Sequence, residues 1–310
     1  MTGRTHNLVM TGRKHDLPQH GLLVVDKPSG ITSRDVVNRI QRHWPPRTRI
    51  GHTGTLDPLA TGVLVICLGQ ATRLAEFIQD MPKTYRATIR LGASSTTDDA
   101  DGEITEHPEA VPVDAAHLAG TLSRFIGEIE QVPPVYSAVK QGGRRAYEQA
   151  RSGVRVELRP RRVRVDAIRV VRYAWPTLEV LIDCGKGTYI RSLARDLGQA
   201  LGVGGMITAL RRTRVGPFDE SQAVPVAEFD SPRADMVRPL SEAVAELPAW
   251  QVTAEERRRL CQGQRITAAA PVGWCAVFHG GELQAIAQSD GRTIRPVKVL
   301  VADDNRRVDD

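Results

Sequence analysis

Across residues 83–91 apolar and polar positions alternate, with Tyr85, Ala87, Ile89 and Leu91 pointing one way and Arg86, Thr88 and Arg90 the other. That is the period-two pattern of a half-buried strand. Residues 177–184 repeat it with Leu178, Val180, Ile182 and Cys184 inward, which predicts a central strand. Residues 63–68 are apolar without a break, of strand length and too short for a buried helix. Residues 22–26 and 207–215 predict two more strands. Helical spacing takes over where Val36, Val37, Ile40 and Trp44 follow a cap at Thr32 or Ser33 and stop at Pro45-Pro46. Further helices are predicted at 71–81, with Leu74, Phe77 and Ile78 inward; behind an Asp114 cap, with Leu118, Leu122, Phe125 and Ile126 before Gly127; and around Ile190, Leu193, Ala194, Leu197 and Leu201, closed by Gly202. Residues 217–249 are acidic and Pro-rich and read as the wrap-up of the first domain and a linker. From Trp250 the texture changes: a helix at 254–262 ends at Gly263, and strands at 274–279, 282–288 and 293–301 are separated by Gly280-Gly281 and Asp290-Gly291, both hairpin signals. The fold class is α+β: a large mixed, mainly antiparallel sheet with peripheral helices, a cleft at its centre and a small β-rich carboxy-terminal domain. The expected division is a disordered tail over 1–19, a main domain over 20–247, the small domain over 248–303 and a tail over 304–310.

Composition adds limits. The 310 residues are 41% hydrophobic and 25% charged, ordinary for a globular protein. No run approaches the eighteen apolar residues of a membrane span. The first twenty residues are polar and basic, unlike a secretory signal, and Met1-Thr-Gly-Arg4 recurs as Met10-Thr-Gly-Arg13. Cys67, Cys184, Cys261 and Cys275 lack CxxC spacing; Cys67 and Cys184 each sit in an apolar strand-like run and read as small hydrophobes, and a reduced cytoplasm is the expected home. The eight histidines show no metal-ligand spacing. The net charge of +6 is unevenly spread: residues 151–172 hold eight arginines against Glu157 and Asp166, while 98–109 hold six acids and no Lys or Arg. A basic stretch of this kind suits a phosphate backbone, with salt-sensitive affinity; a solvated strand edge is the alternative. The acidic stretch lacks EF-hand spacing and reads as a solvated loop, with 98–102 a hairpin end.

The chemistry centres on residues 49–69. Gly51 and Gly54 open a tight loop, Asp57 is locked against Pro58, and His52, Thr53, Thr55 and Thr61 crowd polar groups around its carboxylate just before the apolar strand. An Asp-Pro turn needs none of them; a catalytic acid does. Arg191 falls at a helix start, where the dipole disfavours a cation and a carboxylate partner is wanted. Tyr85 opens its strand on the apolar face, where a phenol can stack on a base with its hydroxyl free, or sit as an ordinary core tyrosine.

The run Gly51-His-Thr-Gly-Thr-Leu-Asp-Pro-Leu-Ala-Thr-Gly-Val-Leu-Val-Ile-Cys-Leu-Gly-Gln-Ala-Thr-Arg-Leu74 resembles the signature of the TruB-type tRNA pseudouridine synthases. Three further blocks, Leu23-Val-Val-Asp-Lys-Pro-Ser-Gly30, Lys83-Thr-Tyr-Arg-Ala-Thr-Ile-Arg-Leu-Gly92 and Cys184-Gly-Lys-Gly-Thr-Tyr-Ile-Arg-Ser-Leu-Ala-Arg-Asp-Leu-Gly198, follow in the expected order, so the resemblance covers roughly residues 20–220. It implies that the T-loop uridine of tRNA (position 55) is isomerised to pseudouridine without a cofactor or metal. Asp57 matches the catalytic aspartate, Arg191 the arginine that pairs with it, and Tyr85 the tyrosine that stacks on the flipped uracil. His52, Tyr189 and Leu210 match positions lining the uridine pocket. Lys27 and Lys186 are candidates for phosphate or loop contacts. Residues 131–153, mixing Pro, Gly, aromatic and basic side chains with Arg144 and Arg145, resemble the family's tRNA-gripping insertion. Arg161, Arg162, Arg211 and Arg212 are candidate RNA contacts, and the carboxy-terminal strands resemble a PUA-like domain. The implied partner is the T-arm of tRNA, with no membrane, no obligate protein partner and a monomer as default. A glycosidase or nucleoside hydrolase would want a second catalytic carboxyl or a metal. An RNA-binding scaffold would leave Asp57, Tyr85 and Arg191 without purpose. A methyltransferase is disfavoured because Gly202-Val-Gly204-Gly205 does not complete GxGxxG.

Overall fold

The structure, a computed structural model, describes residues 17–137, 140–141, 144–145 and 158–300. The expectations for the amino-terminal tail up to residue 16, for most of 138–157 and for the last ten residues lie outside it. In chain order come β1 (Gly21–Lys27), α1 (Ser33–Gln41), β2 (Ile50–His52), β3 (Thr61–Leu68), α2 (Ala75–Asp80), β4 (Lys83–Leu91), the hairpin β5 (Ala93–Ser95) and β6 (Ile104–Glu106), α3 (Ala115–Ser123), and β7 (Gly127–Gln131). The paired strands β8 (Lys140–Gln141) and β9 (Arg144–Arg145) follow, then β10 (Arg161–Ala174), β11 (Thr177–Cys184), α4 (Ile190–Ala200), β12 (Gly205–Val215), β13 (Phe218–Asp219) and β14 (Val224–Pro225). Ten strands form one sheet in the order β14-β1-β3-β12-β4-β11-β10-β7, with β2 beside β3 and β13 beside β12. Its pairings are antiparallel except β1 with β14 and β3 with β12. The α+β expectation therefore holds.

The uninterrupted apolar run in β3 has a structural cause. Leu64, Ile66 and Leu68 face one hydrophobic core, while Val63, Val65 and Cys67 face a second on the other side of the sheet. A strand covered on both faces loses its alternation. The first core takes Val36, Val37, Ile40 and Trp44 from α1 and its C-terminal end, and Ile190, Leu193, Ala194 and Leu197 from α4. The second takes Leu74 and Ile78, and also Ala276, Leu283, Ile286 and Leu300 of the carboxy-terminal region. That region is a separate five-stranded sheet, β15 (Ala249–Gln251), β16 (Ile266–Thr267), β17 (Gly273–His279), β18 (Glu282–Ser289) and β19 (Thr293–Val299), in the order β15-β17-β18-β19-β16, with α5 (Ala254–Cys261) between its first two strands.

Three expectations change. The helix at 71–81 is a 3₁₀ turn over Gly69–Leu74 followed by the short α2; Thr72 Oγ donates to Gly69 O at 2.7 Å, an i−3 bond that suits the tighter turn. Helix α3 ends at Ser123, leaving Ile126 exposed. Residues 217–249 are packed, not a free linker: β14 pairs with β1, and Phe229, Met236, Ala243 and Val244 are buried in the two cores. Cys67, Cys184 and Cys275 are buried and unbridged, and burial pushes the Cys67 and Cys184 thiols up to about 12. Among the described residues no helix is long and apolar enough to cross a membrane.

Candidate active site

Residues 53–60 leave the sheet edge at a fixed point and return into β3. Strand β2 pairs antiparallel with the far half of β3, and the Thr53 N–H donates to Val65 O at 3.0 Å. The loop then turns on anchors from three elements. Ser33, at the start of α1, takes the Leu56 N–H at 2.8 Å and donates its hydroxyl to Leu56 O at 3.0 Å. Arg212 on β12 donates to Gly54 O at 3.1 Å and to Val63 O at 2.8 Å. Lys27, at the end of β1, donates its ammonium to Pro28 O, Ile31 O and Pro58 O at 2.8, 2.7 and 3.2 Å. The Ala60 N–H closes the turn on Asp57 O at 3.1 Å. Gly54, Leu56 and Pro58 are thus each held by a side chain from elsewhere in the fold.

Asp57 projects from this turn into a cleft of about 350 Å³, the lower end of the ~300–1,000 Å³ range of ligand sites and suited to one nucleotide. His52, Asp57, Tyr85, Lys186, Tyr189, Arg191, Leu210 and Arg212 all line it. Its charged floor is a three-residue cluster. Arg191 Nε lies 2.9 Å from Asp57 Oδ2 and its Nη1 lies 3.3 Å from Asp99 Oδ2. The guanidinium also donates to Thr97 O and Tyr136 O, each at 2.9 Å. Side-chain exposure is 5% for Arg191 and 4% for Asp99, against 35% for Asp57, so only one carboxylate faces the cleft. Burial raises the Asp57 carboxyl above its usual range. The Arg191 cation opposes that rise, Asp99 adds to it, and Lys27 opposes it more weakly. The arginine therefore orients Asp57 without bringing its pKa below that of an ordinary Asp.

Asp99 was expected in a solvated loop. Instead it is buried, accepting from Thr97 Oγ at 2.5 Å and from the Asp101 N–H at 3.1 Å. Asp98 beside it pairs with Arg195 at 2.8 Å. Their partners Arg191 and Arg195 lie far along the chain, so nothing local to residues 98–109 marked them. Lys83 was also missed: it lines the cleft from β4, donates to Gln79 O and to Met81 O, and burial lowers its ammonium to about 8.

Other candidates separate by exposure. Tyr85 stands opposite Arg212 and Ile182 in its neighbouring strands; burial raises its phenol, with nearby Arg212 as the main opposing influence. Leu210 is buried at the wall, and Tyr189 is the N-cap residue of α4. Lys27 is fully buried, so it serves the loop and not a phosphate; burial lowers its ammonium to about 8. Lys186 sits at the rim paired with Asp80 at 2.6 Å. Two of the expected RNA contacts change. Arg212 is 3% exposed and spent on backbone carbonyls. Arg211 is clamped between Asp26, at 3.0 and 3.1 Å, and Glu220, at 2.8 Å. Both lie on β12, Arg211 reaching across to Asp26 of β1 and Arg212 to Val63 of the adjacent β3. Arg161 and Arg162 are exposed on β10. Arg144 and Arg145 form β9, whose backbone pairs with β8. Among the described residues no group of three or more His, Cys, Asp or Glu converges to hold a metal.

A model of the TruB family pseudouridylate synthase N-terminal domain matches residues 42–190, and one of the tRNA pseudouridylate synthase B C-terminal domain matches 191–244. The chain belongs to the TruB family of pseudouridylate synthases. A tRNA pseudouridine synthase B of Thermobifida fusca is 46% identical over 90% of this chain and 98% of its own length, and one of Mycobacterium bovis is 43% identical over 90% and 95%. In three dimensions the chain is similar to a protein of an H/ACA RNP bound to a substrate RNA containing 2′-deoxyuridine, with a TM-score of 0.71 at 24% identity over 97% of this chain and 92% of the other, a likeness of fold.

Proposed function

We propose that this TruB-family protein isomerises uridine 55 in the T-loop of tRNA to pseudouridine, with Asp57 as the catalytic group. The observation that carries the reading is the carboxylate of Asp57, held 2.9 Å from a buried arginine at the floor of a nucleotide-sized cleft that Tyr85 also lines. The reaction breaks the N1–C1′ bond, turns the base and joins C5 to C1′; the proton leaving C5 is balanced by one gained at N1. No group enters or leaves, so the stoichiometry calls for no cofactor. The base must first leave its stack, which a cleft of this size accommodates. Asp57 then acts at C1′, at C6 or on a sugar proton, three routes that share the need for an ionised, oriented carboxylate. Tyr85 is assigned to stacking on the uracil and is the best-placed group for the C5 proton. Tyr189 and Leu210 wall the pocket, and His52 holds the loop or the displaced nucleotide. Lys27 is assigned to the catalytic loop and Lys186 to the rim.

The T-arm would lie across the mouth of the cleft, its phosphates on Arg161 and Arg162 and gripped by the insertion over 131–153 with Arg144 and Arg145. Residues 20–247 form the catalytic domain and 248–303 a PUA-like domain on this reading, and the protein acts as a cytoplasmic monomer without an obligate protein partner. The test is tritium release from tRNA carrying 5-tritiated uridine, with no added cofactor. Release with pseudouridine mapped at position 55, abolished in Asp57→Asn, is expected; free uracil as the product would replace isomerisation by hydrolysis.

A further inference from the structure

Gln131 is the last residue of β7 and is 1% exposed. Its carboxamide makes two bonds to one residue 58 positions later: the Tyr189 N–H donates to Oε1 at 2.8 Å, and Nε2 donates to Tyr189 O at 3.0 Å. Tyr189 is the N-cap of α4 and has no side-chain cap bond of its own. The buried Gln thus satisfies one backbone donor of the helix start, the N–H of the N-cap residue itself. Arg191 lies two residues further on. The contact does not stand alone: Ser192 Oγ donates to Val132 O at 2.8 Å, Arg195 Nη2 to the same carbonyl at 2.9 Å, and Arg191 Nη2 to Tyr136 O at 2.9 Å. The first turns of α4 therefore grip the segment 131–136 at three residues, and Gln131 is the only one of the three that holds by its side chain.

We infer that Gln131 is a positioning residue for the aspartate–arginine pair: its carboxamide fixes the start of α4 so that Arg191 meets Asp57, and it ties that geometry to the segment 131–136. The inference rests on the proposed role of Asp57. Its physical basis is rigidity. A bidentate side-chain clamp on the N–H and C=O of one residue fixes both position and orientation, and a displacement near 1 Å of a group orienting the reacting one costs on the order of 10²-fold in rate.

The experiment compares Gln131→Met, which keeps the volume and removes both bonds, with Gln131→Glu, in full-length protein assayed by tritium release under saturating and subsaturating tRNA. Gln131→Met is expected to lower kcat about 10- to 100-fold with KM within about threefold of the parent. Because the Arg191 cation opposes the rise of the Asp57 carboxyl, a loosened arginine also moves the acidic limb of kcat to higher pH. In Gln131→Glu the neutral carboxyl can again donate and accept, so its rate relative to Gln131→Met should rise as pH falls. An unchanged kcat and acidic limb in a folded Gln131→Met overturns the inference, as does a loss confined to KM. If Gln131→Met does not fold, Ser192→Ala replaces it: a lower kcat with a shifted limb supports the tie, and parental values refute it. Loss of activity in Asp57→Asn together with parental behaviour in the Gln131 variants would reject this inference alone; activity in Asp57→Asn would reject the reading beneath it.

Discussion

Two arginines in this fold each sit between two carboxylates, in opposite surroundings. Arg191 joins Asp57 and Asp99 at 2.9 and 3.3 Å with 5% of its side chain exposed; Arg211 joins Asp26 and Glu220 at 3.0 and 2.8 Å with 32% exposed. Ion count and geometry are nearly the same. The difference is water. Around Arg211 solvent stabilises each ion whether or not the others are present, and the cluster does little more than tie β12 to β1. Around Arg191 the ions depend on one another, so the cluster can hold one carboxylate in place and set its protonation, as a catalytic acid requires.

The largest effect should come from Asp57→Asn. Turnover should fall by about 10⁴-fold or more, as when a nucleophile or its base is removed, in the tritium-release assay. Stability should not fall with it. Burial raises the Asp57 carboxyl in the fold, so its ionised form opposes folding at any pH above that raised value, and a neutral amide removes the opposition while Arg191 keeps Asp99. Thermal melting at neutral pH should show a midpoint at or above the parent's. A fall of many degrees would mean the site is built for stability first.

Arg191→Met leaves two acids, one of them buried, without their cation. The expected cost is about 3–5 kcal/mol, read as a drop in melting temperature on the order of 10 °C, together with loss of turnover. The effect should shrink on acidification, when the acids become neutral.

The pH dependence sharpens the same contrast. On the role proposed for it Asp57 acts ionised, so activity should fall as pH drops through a carboxyl value higher than that of an ordinary Asp. Asp99 contributes to that rise by like charge. Asp99→Asn should therefore move the acidic limb of kcat to lower pH even as it weakens the hold on Arg191 and lowers the plateau. A limb that stays in place would mean Asp99 acts only as a support.

Arg161→Ala with Arg162→Ala should weaken tRNA binding several-fold and reduce the salt slope of affinity by about one per lost phosphate contact, measured by filter binding at rising salt. Single-turnover rates at saturating protein should not change. Equal affinity would leave this end of β10 as solvated surface.

What could be read from the chain beforehand follows the same division. Alternation in β4 and β11 and the unbroken run in β3 were legible because side-chain period and burial on one or both faces leave a local trace. The Asp57 loop was legible because polar groups crowd a stiff turn. Burial of a charge leaves no such trace. Lys27 and Arg212 look like any surface cation until the loop carbonyls of Pro58 and Gly54 are brought to them. Asp99 looked like one acid among six because its partner lies on a helix far along the chain. The packing of residues 217–249 was hidden for a related reason: short 3₁₀ turns carry no periodicity, only scattered apolar anchors such as Phe229 and Val244.

The smallest effect tests the comparison most directly. Arg211→Met removes the cation from the exposed cluster and leaves Asp26 and Glu220 31% and 46% exposed. Both carboxylates can then be hydrated, so the cost should stay within about 1 kcal/mol and vanish at high salt, where screening has already weakened the cluster. Because both carboxylates already occupy its guanidinium, tRNA affinity and turnover should match the parent. Paired melts of Arg191→Met and Arg211→Met in one buffer would separate burial from ion count. Equal losses in the two would mean that the number of charges, not their removal from water, decides what such a cluster does in this fold.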